Sequence, residues 1–313
     1  MNKRTKGTIQ LTLTALIWGI AFVAQSVGME YVGPWTFNAV RYLIGGIVLI
    51  PVIFLISWIN GRDADKSAIG SANTGNEPAV NKKDRGVAYY TVKGGIFSGI
   101  LLAVASLLQQ YGILYTSVGK AGFITALYII IVPFFSILLK KKIGLNQWIS
   151  ALIAVAGFYI MSVSGYQQVN IGDLLLLACA CFYSVQILVI DHYVERVNTV
   201  AMSCIQFFVS GIICSVGMFA LENPQIDMIL AAYIPILYAG VMSSGVAYTL
   251  QIIGQKNLEP TLASLLMSLE SVFSALAGWI ILKQIMQPKE IVGSVLVFGG
   301  VVLAQLPAKK NNA

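Results

Sequence analysis

Long apolar blocks constrain the fold of this chain more than any other feature. Each block runs for about 18–23 residues, the length at which an α-helix rising about 1.5 Å per residue crosses a hydrocarbon core of about 30 Å. Blocks of this length are typical of membrane-spanning helices. The sequence therefore predicts an all-α integral membrane protein of ten transmembrane helices, at about 8–28, 35–58, 94–115, 120–139, 146–164, 173–191, 200–220, 229–250, 260–282 and 289–306.

The composition supports a chain surrounded by lipid. Apolar residues make up 57% and charged residues 11% of the sequence, against roughly 45–50% and about 25% in soluble domains. So few charges cannot cover a water-exposed surface. The longest polar stretch, at about 60–92, has too few apolar residues to offset the entropy of ordering, so we expect a flexible loop there.

The basic residues predict the orientation of the helices, because lysine and arginine accumulate in cytoplasmic loops. With a cytoplasmic N-terminus, the outer loops hold only Lys120, Lys283 and Lys289, whereas the inner segments hold most of the other basic residues. We therefore expect the cell (inner) membrane as the location, both termini in the cytoplasm, and a cytoplasmic 60–92 loop. Nucleic-acid binding would need a folded basic surface in water, and the scattered loop charges do not provide one.

The two halves of the chain repeat each other. Residues 109–157 align without a gap on residues 251–299 at an offset of 142, which places Gln109 on Gln251. The first helix of each half aligns at an offset of 165 instead. The larger offset reflects the 60–92 loop, which is an insertion in the first half.

This repeat divides the chain into two units, 1–165 and 166–313. Each unit holds five predicted helices, an odd number, so the second unit enters the membrane from the opposite side. Inverted repeats of this kind typically support alternating access about a site at the middle of the membrane. The sequence thus favours a carrier for a small solute, and the alternative is a non-transporting membrane scaffold or a lipid-modifying membrane protein.

Several segments resemble the EamA family of the drug/metabolite transporter superfamily. They are Ala15 to Gly19 in the first helix, Arg41 in the second, Leu269 to Phe273 continuing to Trp279 in the ninth, and Gly299 to Leu303 in the last. The resemblance implies a ten-helix metabolite carrier, of a family that includes exporters of amino acids and related compounds. It also implies that the third, fourth, eighth and ninth helices border the central cavity.

The chain departs from the family pattern at two places. The family usually has a proline after the ninth-helix glutamate and a Gly-Glu pair at the end of that helix. Here these positions are Ser271 and Lys283–Gln284. The departures weaken any inference about the solute and leave the expected fold unchanged.

Two ionisable residues lie deep inside predicted spans, Arg41 and Glu270. Inserting such a residue costs roughly 2.5–3.5 kcal/mol, so each needs an explanation. Arg41 has three: snorkelling to the interface, pairing with Glu270, or contact with the solute. Glu270 lies too deep to reach water, so it faces the cavity, pairs with Arg41 or is neutral, and in the cavity it is a candidate for coupling transport to protons.

Neutral polar and aromatic residues are candidates for the cavity wall: Trp18, Gln109, Tyr111, Tyr128, Tyr248 and Gln251. Their hydrogen-bonding groups suit an uncharged or zwitterionic solute, such as an amino acid. The alternative is hydrogen bonding between helices, worth about 0.6 kcal/mol per contact, and core packing for Trp18.

Signatures of other chemistry are missing from the sequence. The chain has no G-x-x-x-x-G-K-[ST] phosphate loop, which disfavours its own nucleotide hydrolysis. The single histidine, His192, lies at a span end, and Cys179 and Cys181 point to different helix faces, so no metal site is expected. We predict no enzyme and no cofactor. The expected partners are a small solute, the bilayer and, as candidate coupling ion, the proton.

Overall fold

A computed structural model describes residues 2–68, 82–141, 143–162, 170–284 and 288–305. Ten helical spans follow one another: α1 Lys3–Gly28, α2 Pro34–Ala68, α3 Lys82–Ile113, α4 Val118–Leu138, α5 Leu145–Ser162, α6 Ile171–Tyr193, α7 Thr199–Leu221, α8 Tyr233–Gln255, α9 Pro260–Leu282 and α10 Pro288–Gln305. A 3₁₀ turn, Val194–Arg196, joins α6 to α7, and a short helix, Ile226–Ala231, leads into α8.

The lengths and surfaces of these helices suit a membrane. Within the described ranges, eight helices are long and apolar enough to cross it, and the apolar stretches Leu145–Gly157 in α5 and Ile291–Ala304 in α10 are shorter. Large apolar side chains such as Phe54 and Phe219 are 70% and 73% exposed, which is stable only where lipid replaces water. The prediction of an all-helical membrane protein with ten spans is confirmed.

The two repeats interlock. Helix α1 of the first repeat packs against α8 and α9 of the second repeat. Helix α6 of the second repeat packs in the same way against α3 and α4 of the first repeat. The equivalent helices α2 and α7 pack on each other, as do α5 and α10. Every large helix contact therefore has a counterpart under exchange of the repeats.

Glycines allow close backbone approach at two equivalent crossings. A Cβ on Gly172 of α6 would lie 2.8 Å from the carbonyl oxygen of Gly112 in α3, and one on Gly7 of α1 would lie 3.1 Å from that of Gly254 in α8. Gly7 aligns with Gly172 and Gly112 with Gly254, at the two offsets found in the sequence. Small residues thus allow the same close backbone approach at equivalent places.

The prediction of a loop over residues 60–92 is wrong at both of its ends. Helix α2 continues to Ala68 and α3 begins at Lys82, and residues 69–81 lie outside the described part of the chain. A helix that already spans the membrane extends readily into water, because each added residue gains one hydrogen bond without a new nucleation cost. Polar composition alone does not reveal such an extension.

Helix α9 ends at one of the departures from the family pattern. Lys283 has left-handed backbone angles, φ 55° and ψ 27°, and the Gln284 N–H donates to the carbonyl oxygen of Gly278 at 3.1 Å. Glycine is the usual residue at such a C-terminal turn, since any Cβ is strained there. Lys283 therefore keeps the turn at some cost in backbone strain.

Candidate functional site

Helices α4 and α9 are both interrupted, at equivalent positions. Helix α4 consists of Val118–Thr125 and Tyr128–Leu138, and α9 consists of Pro260–Met267 and Glu270–Leu282. At each interruption a backbone hydrogen bond joins residues three apart, as in a 3₁₀ turn, instead of four apart. The Leu127 N–H donates to Ile124 O at 3.2 Å, and the Leu269 N–H donates to Leu266 O at 3.3 Å.

A central cavity lies beside these interruptions. Helices α1, α2, α3, α4, α6, α8 and α9 form its wall, with the side chains of Trp18, Ala21, Phe22, Gln25, Arg41, Gln109, Tyr128, Tyr183, Gln186, Ile187, Ser243, Tyr248, Gln251, Met267 and Glu270. Its free volume is about 30 Å³, roughly the share of one molecule in liquid water. In this conformation the side chains of the wall pack so closely that little free volume remains between them.

Most of the predicted site residues meet at this cavity. Trp18, Arg41, Gln109, Tyr128, Tyr248, Gln251 and Glu270 line it, and the four helices implied by the family resemblance all contribute. Tyr111 is half-buried and is not among the wall residues. Successive helical residues point about 100° apart, so two residues beyond Gln109 the helix presents a different face.

Sequence reasoning missed other residues of the wall, notably Gln25, Tyr183 and Gln186. Tyr183 could have been predicted from the sequence, because it aligns with the candidate residue Trp18 at the offset of 165. The glutamines had no comparable signal, since a buried glutamine of a packing contact looks the same in sequence as one that faces a cavity.

Tyr128 and Glu270 join the two repeats across the cavity. The Tyr128 hydroxyl donates to Glu270 Oε1 at 2.9 Å, and both side chains are buried. The two residues are equivalent in the repeats at the offset of 142, and each begins the second segment of its broken helix. The carboxyl of Glu270 thus lies in the first turn of a helix segment, where the helix dipole favours negative charge.

Aromatic rings form another side of the wall. The rings of Trp18 and Tyr248 lie 4.6 Å apart between centroids, and the hydroxyls of Tyr183 and Tyr248 are 3.2 Å apart. Trp18 Nε1 donates to the Ser243 carbonyl oxygen at 3.4 Å. Ser243 and Tyr248 belong to a π-helical stretch of α8, Tyr238–Tyr248. Wider turns of this kind are frequent at functional sites.

Arg41 and Glu270 do not pair with each other. Arg41 Nη2 donates to the Tyr42 hydroxyl at 2.7 Å, whereas Glu270 accepts from Tyr128. In the part of the chain that the structure describes, no acidic side chain forms an ion pair with Arg41. The guanidinium does not snorkel to the interface either, since Arg41 is only 2% exposed. Each side chain contacts a tyrosine hydroxyl instead, so the alternative of an ion pair between Arg41 and Glu270 is wrong.

Several polar atoms of the wall have no hydrogen-bond partner in the protein. Among the described residues these are Gln25 Oε1, Arg41 Nε, both amide atoms of Gln186, and Gln251 Oε1. Burying an unpaired polar group costs about 1–3 kcal/mol. Buried polar atoms without a partner also lie elsewhere in the described bundle, but those of the wall give this cavity hydrogen-bonding capacity for a polar solute.

A wider vestibule lies on the face of the bundle where α1 begins, which we call the N-terminal face. Its volume is about 560 Å³, and its wall includes Lys141, Asp191, Glu259 and Gln255. Lys141 forms an ion pair with Asp191. Gln255 Nε2 donates to the Ile187 carbonyl oxygen at 3.2 Å, and Ile187 also lines the central cavity. This α8–α6 contact therefore separates the vestibule from the cavity.

The equivalent contact on the opposite face is apolar. Ile113 and Phe22 are the counterparts of Gln255 and Ile187 at the offsets of 142 and 165. Both are buried in an apolar cluster with Val118 and other residues of α1, α3, α4, α6 and α9. One end of the cavity is thus closed by a polar contact and the other by apolar packing.

The described residues contain no group of three or more metal-binding side chains.

Comparison with known proteins identifies the family. The model of the EamA-like transporter family matches residues 5–163 and again residues 170–306. An uncharacterized transporter of Archaeoglobus fulgidus is 28% identical over 305 residues, which cover 97% of this chain and 87% of that protein. The uncharacterized transporter YoaV of Bacillus subtilis is 20% identical over 312 residues, with 97% of each covered.

A solved crystal structure has the same fold. It aligns over 99% of both chains with a TM-score of 0.72 at 17% sequence identity. The tandem family matches agree with two repeats of five helices each, and they cover nearly all of the sequence. The chain therefore belongs to the EamA-like transporter family.

Proposed function

We propose that this membrane transporter is a secondary carrier for a small polar or zwitterionic metabolite, with amino acids and related compounds as the candidate class and export as the candidate direction. One observation carries the proposal: equivalent residues of both repeats surround a single buried cavity. The equivalent pairs are Trp18 with Tyr183, Gln109 with Gln251, and Tyr128 with Glu270.

The size and symmetry of this cavity support alternating access. A free volume of about 30 Å³ is far below the roughly 300–1,000 Å³ of typical ligand sites, so a solute enters only when helices separate. Exchanging the conformations of the two repeats converts a state open on one face into a state open on the other. The interruptions in α4 and α9 are the natural hinges, because the helical hydrogen bonding is already irregular there.

The charge distribution supports an orientation with the N-terminal face in the cytoplasm. In that orientation the vestibule is the cytoplasmic mouth of the path, and both termini lie inside the cell. The contact between Gln255 and Ile187 then closes the path toward the cytoplasm, and the cluster around Phe22 and Ile113 closes it toward the outside.

The carboxyl of Glu270 is our candidate for coupling transport to protons. It lines the cavity and accepts one hydrogen bond from Tyr128. As the cavity fills with water or closes, the balance between its neutral and charged forms changes. A proton bound on one side of the membrane is then released on the other.

The substitution Glu270→Gln keeps the shape of the side chain and removes the titration. Purified protein in vesicles should then exchange solute at equal concentrations, at least in part, and should not accumulate solute when a pH gradient is imposed. Glu30→Gln, which changes an exposed acid outside the cavity, is the control and should accumulate solute normally. Accumulation by the Glu270→Gln protein would exclude Glu270 as the coupling site.

The carrier function itself is tested by metabolite profiles of cells with and without the protein. Candidate solutes from that comparison are then measured for uptake into vesicles containing the purified chain. Faster movement than in protein-free vesicles supports the proposal. If a broad panel shows no faster movement, the non-transporting scaffold or the lipid-modifying protein becomes the better account.

A further inference from the structure

The guanidinium of Arg41 is a buried charge without a counter-ion in the described protein. Its side chain is 2% exposed and lines the central cavity. Within the described ranges no acid pairs with it, and its Nε has no hydrogen-bond partner. The carboxyl of Glu270, which also lines the cavity, accepts a hydrogen bond from Tyr128 instead.

An isolated cation in such a place is costly. Removing an ion from water is unfavourable unless another charge or several hydrogen bonds compensate. The hydroxyl of Tyr42 supplies one hydrogen bond, at 2.7 Å. This neutral hydroxyl does not balance the positive charge, so an anionic group that entered the cavity would be stabilised by Arg41.

The orientation of Arg41 is fixed by its neighbours. Its guanidinium carbon lies 4.6 Å from the ring centroid of Tyr42 and 5.7 Å from that of Phe37. Such contacts between a cation and aromatic faces hold the guanidinium plane in place. A planar fork held in this way matches the two oxygens of a carboxylate, which it binds through two parallel hydrogen bonds.

We infer that Arg41 binds the carboxylate of the transported solute and thereby selects carboxylate-bearing compounds. This inference rests on the proposed carrier function and adds a specific group of the solute to it. The remaining wall suits the rest of an amino acid. The free amide oxygens of Gln186 and Gln251 accept hydrogen bonds from an ammonium group, and the paired rings of Trp18 and Tyr248 offer it an aromatic face.

The test compares matched ligands that differ only in the carboxylate. The proteinogenic amino acids and their carboxamides are titrated into purified protein, with binding measured by calorimetry and by thermal stabilisation. Hydrogen bonds to charged groups contribute enough that at least one acid should bind the native protein about tenfold or more tightly than its carboxamide. If no acid binds more tightly than its carboxamide, the inference is overturned.

Two variants assign the selectivity to Arg41. Arg41→Gln should bind the acid and the carboxamide equally, and Arg41→Lys, which keeps the charge and loses the fork, should give an intermediate ratio. Lys120→Gln removes a cation that pairs with Asp173 away from the cavity and should leave the ratio unchanged. Glutamine already occupies the equivalent position of the second repeat, where Gln206 is buried.

The outcomes separate this inference from the carrier function. If Arg41→Gln, folded by circular dichroism, keeps the native ratio of acid to carboxamide, Arg41 does not bind the carboxylate. The protein remains a carrier in that case if vesicles still transport any solute. If Arg41→Gln does not fold, an unchanged ratio in Arg41→Lys overturns the inference in the same way.

Discussion

At the scale of single residues, the cavity owes its chemistry to differences between the repeats. The backbone positions of Tyr128 and Glu270 are equivalent, yet one side chain donates a hydrogen bond and the other accepts it. Two glutamates at these positions would not give the same buried pair, since two carboxylates repel each other, and two tyrosines would supply no carboxyl group. Divergence at equivalent positions has thus created one asymmetric polar contact at the centre of the bundle.

The hydroxyl of Tyr128 should be required for transport. Tyr128→Phe removes the donor to Glu270 and leaves a buried acceptor less satisfied, which costs about 1–3 kcal/mol. We expect transport to fall several-fold while the amount of folded protein in the membrane stays similar, as measured by vesicle uptake and by size-exclusion chromatography. Tyr111→Phe is the matched control, because Tyr111 lies in α3 outside the cavity wall and its change should have little effect.

At the scale of helices, the repeats explain where the bundle can move. Helices α4 and α9 are irregular at equivalent places, whereas the glycine crossings of α1 with α8 and of α6 with α3 hold those pairs tightly together. Motion at the two irregular places would move the segments that begin at Tyr128 and Glu270. The two ends of the cavity differ, one closed by a hydrogen bond and the other by apolar side chains.

Loss of the polar closure should make the cavity more accessible from the N-terminal face. Gln255→Leu removes the hydrogen bond to Ile187. Such a bond between helices contributes about 0.6 kcal/mol, so its loss should raise the population open to the N-terminal face roughly threefold. A cysteine introduced as Ser243→Cys, in protein whose four native cysteines are replaced by alanine, reports access to the cavity. Its labelling by a charged thiol reagent added to the N-terminal face should be about threefold faster in the Gln255→Leu protein.

Ile113→Val is the control for that measurement, because it changes the apolar closure of the opposite face. It should not raise labelling from the N-terminal face. If Gln255→Leu labels at the native rate or more slowly, the contact between Gln255 and Ile187 does not close the path.

At the scale of the whole molecule, the first repeat differs from the second mainly by an insertion. The second repeat has only a short connection between α7 and α8, whereas α2 and α3 extend to Ala68 and Lys82. The central cavity is built from residues remote in sequence from this insertion. Folding and transport should therefore depend on the spans and not on the inserted residues.

Replacing residues 69–81 by a short Gly-Ser linker should preserve both folding and transport. The replacement keeps the described ends of α2 and α3, and a flexible linker of moderate length adds little loop-closure entropy. Thermal stability in detergent and vesicle uptake are the measurements. Protease applied outside intact cells should not cut the native chain in this region. Cleavage there would contradict the predicted cytoplasmic location.

The sequence by itself determined the class of protein, its ten helices and its repeats. Apolar blocks of about 20 residues are stable in lipid and have the length of spanning helices, so these predictions needed no tertiary contacts. The two charged residues of the cavity were also predictable, because burying Arg41 or Glu270 in a span without a function or a partner is costly. The wall glutamines Gln25 and Gln186 carried no such signal.

The tertiary structure alone decided which polar groups meet. Sequence did not show that Glu270 contacts Tyr128, because that hydrogen bond depends on how helices from different repeats pack. Nor did it show that the Arg41 side chain contacts the neighbouring Tyr42 hydroxyl, because side-chain conformation depends on the surrounding packing. The interruptions of α4 and α9 carry neither glycine nor proline at Ala126–Leu127 and Ser268–Leu269, so no local signal marked them. Packing across the repeats, which brings distant helices together around one cavity, supplied what local sequence could not specify.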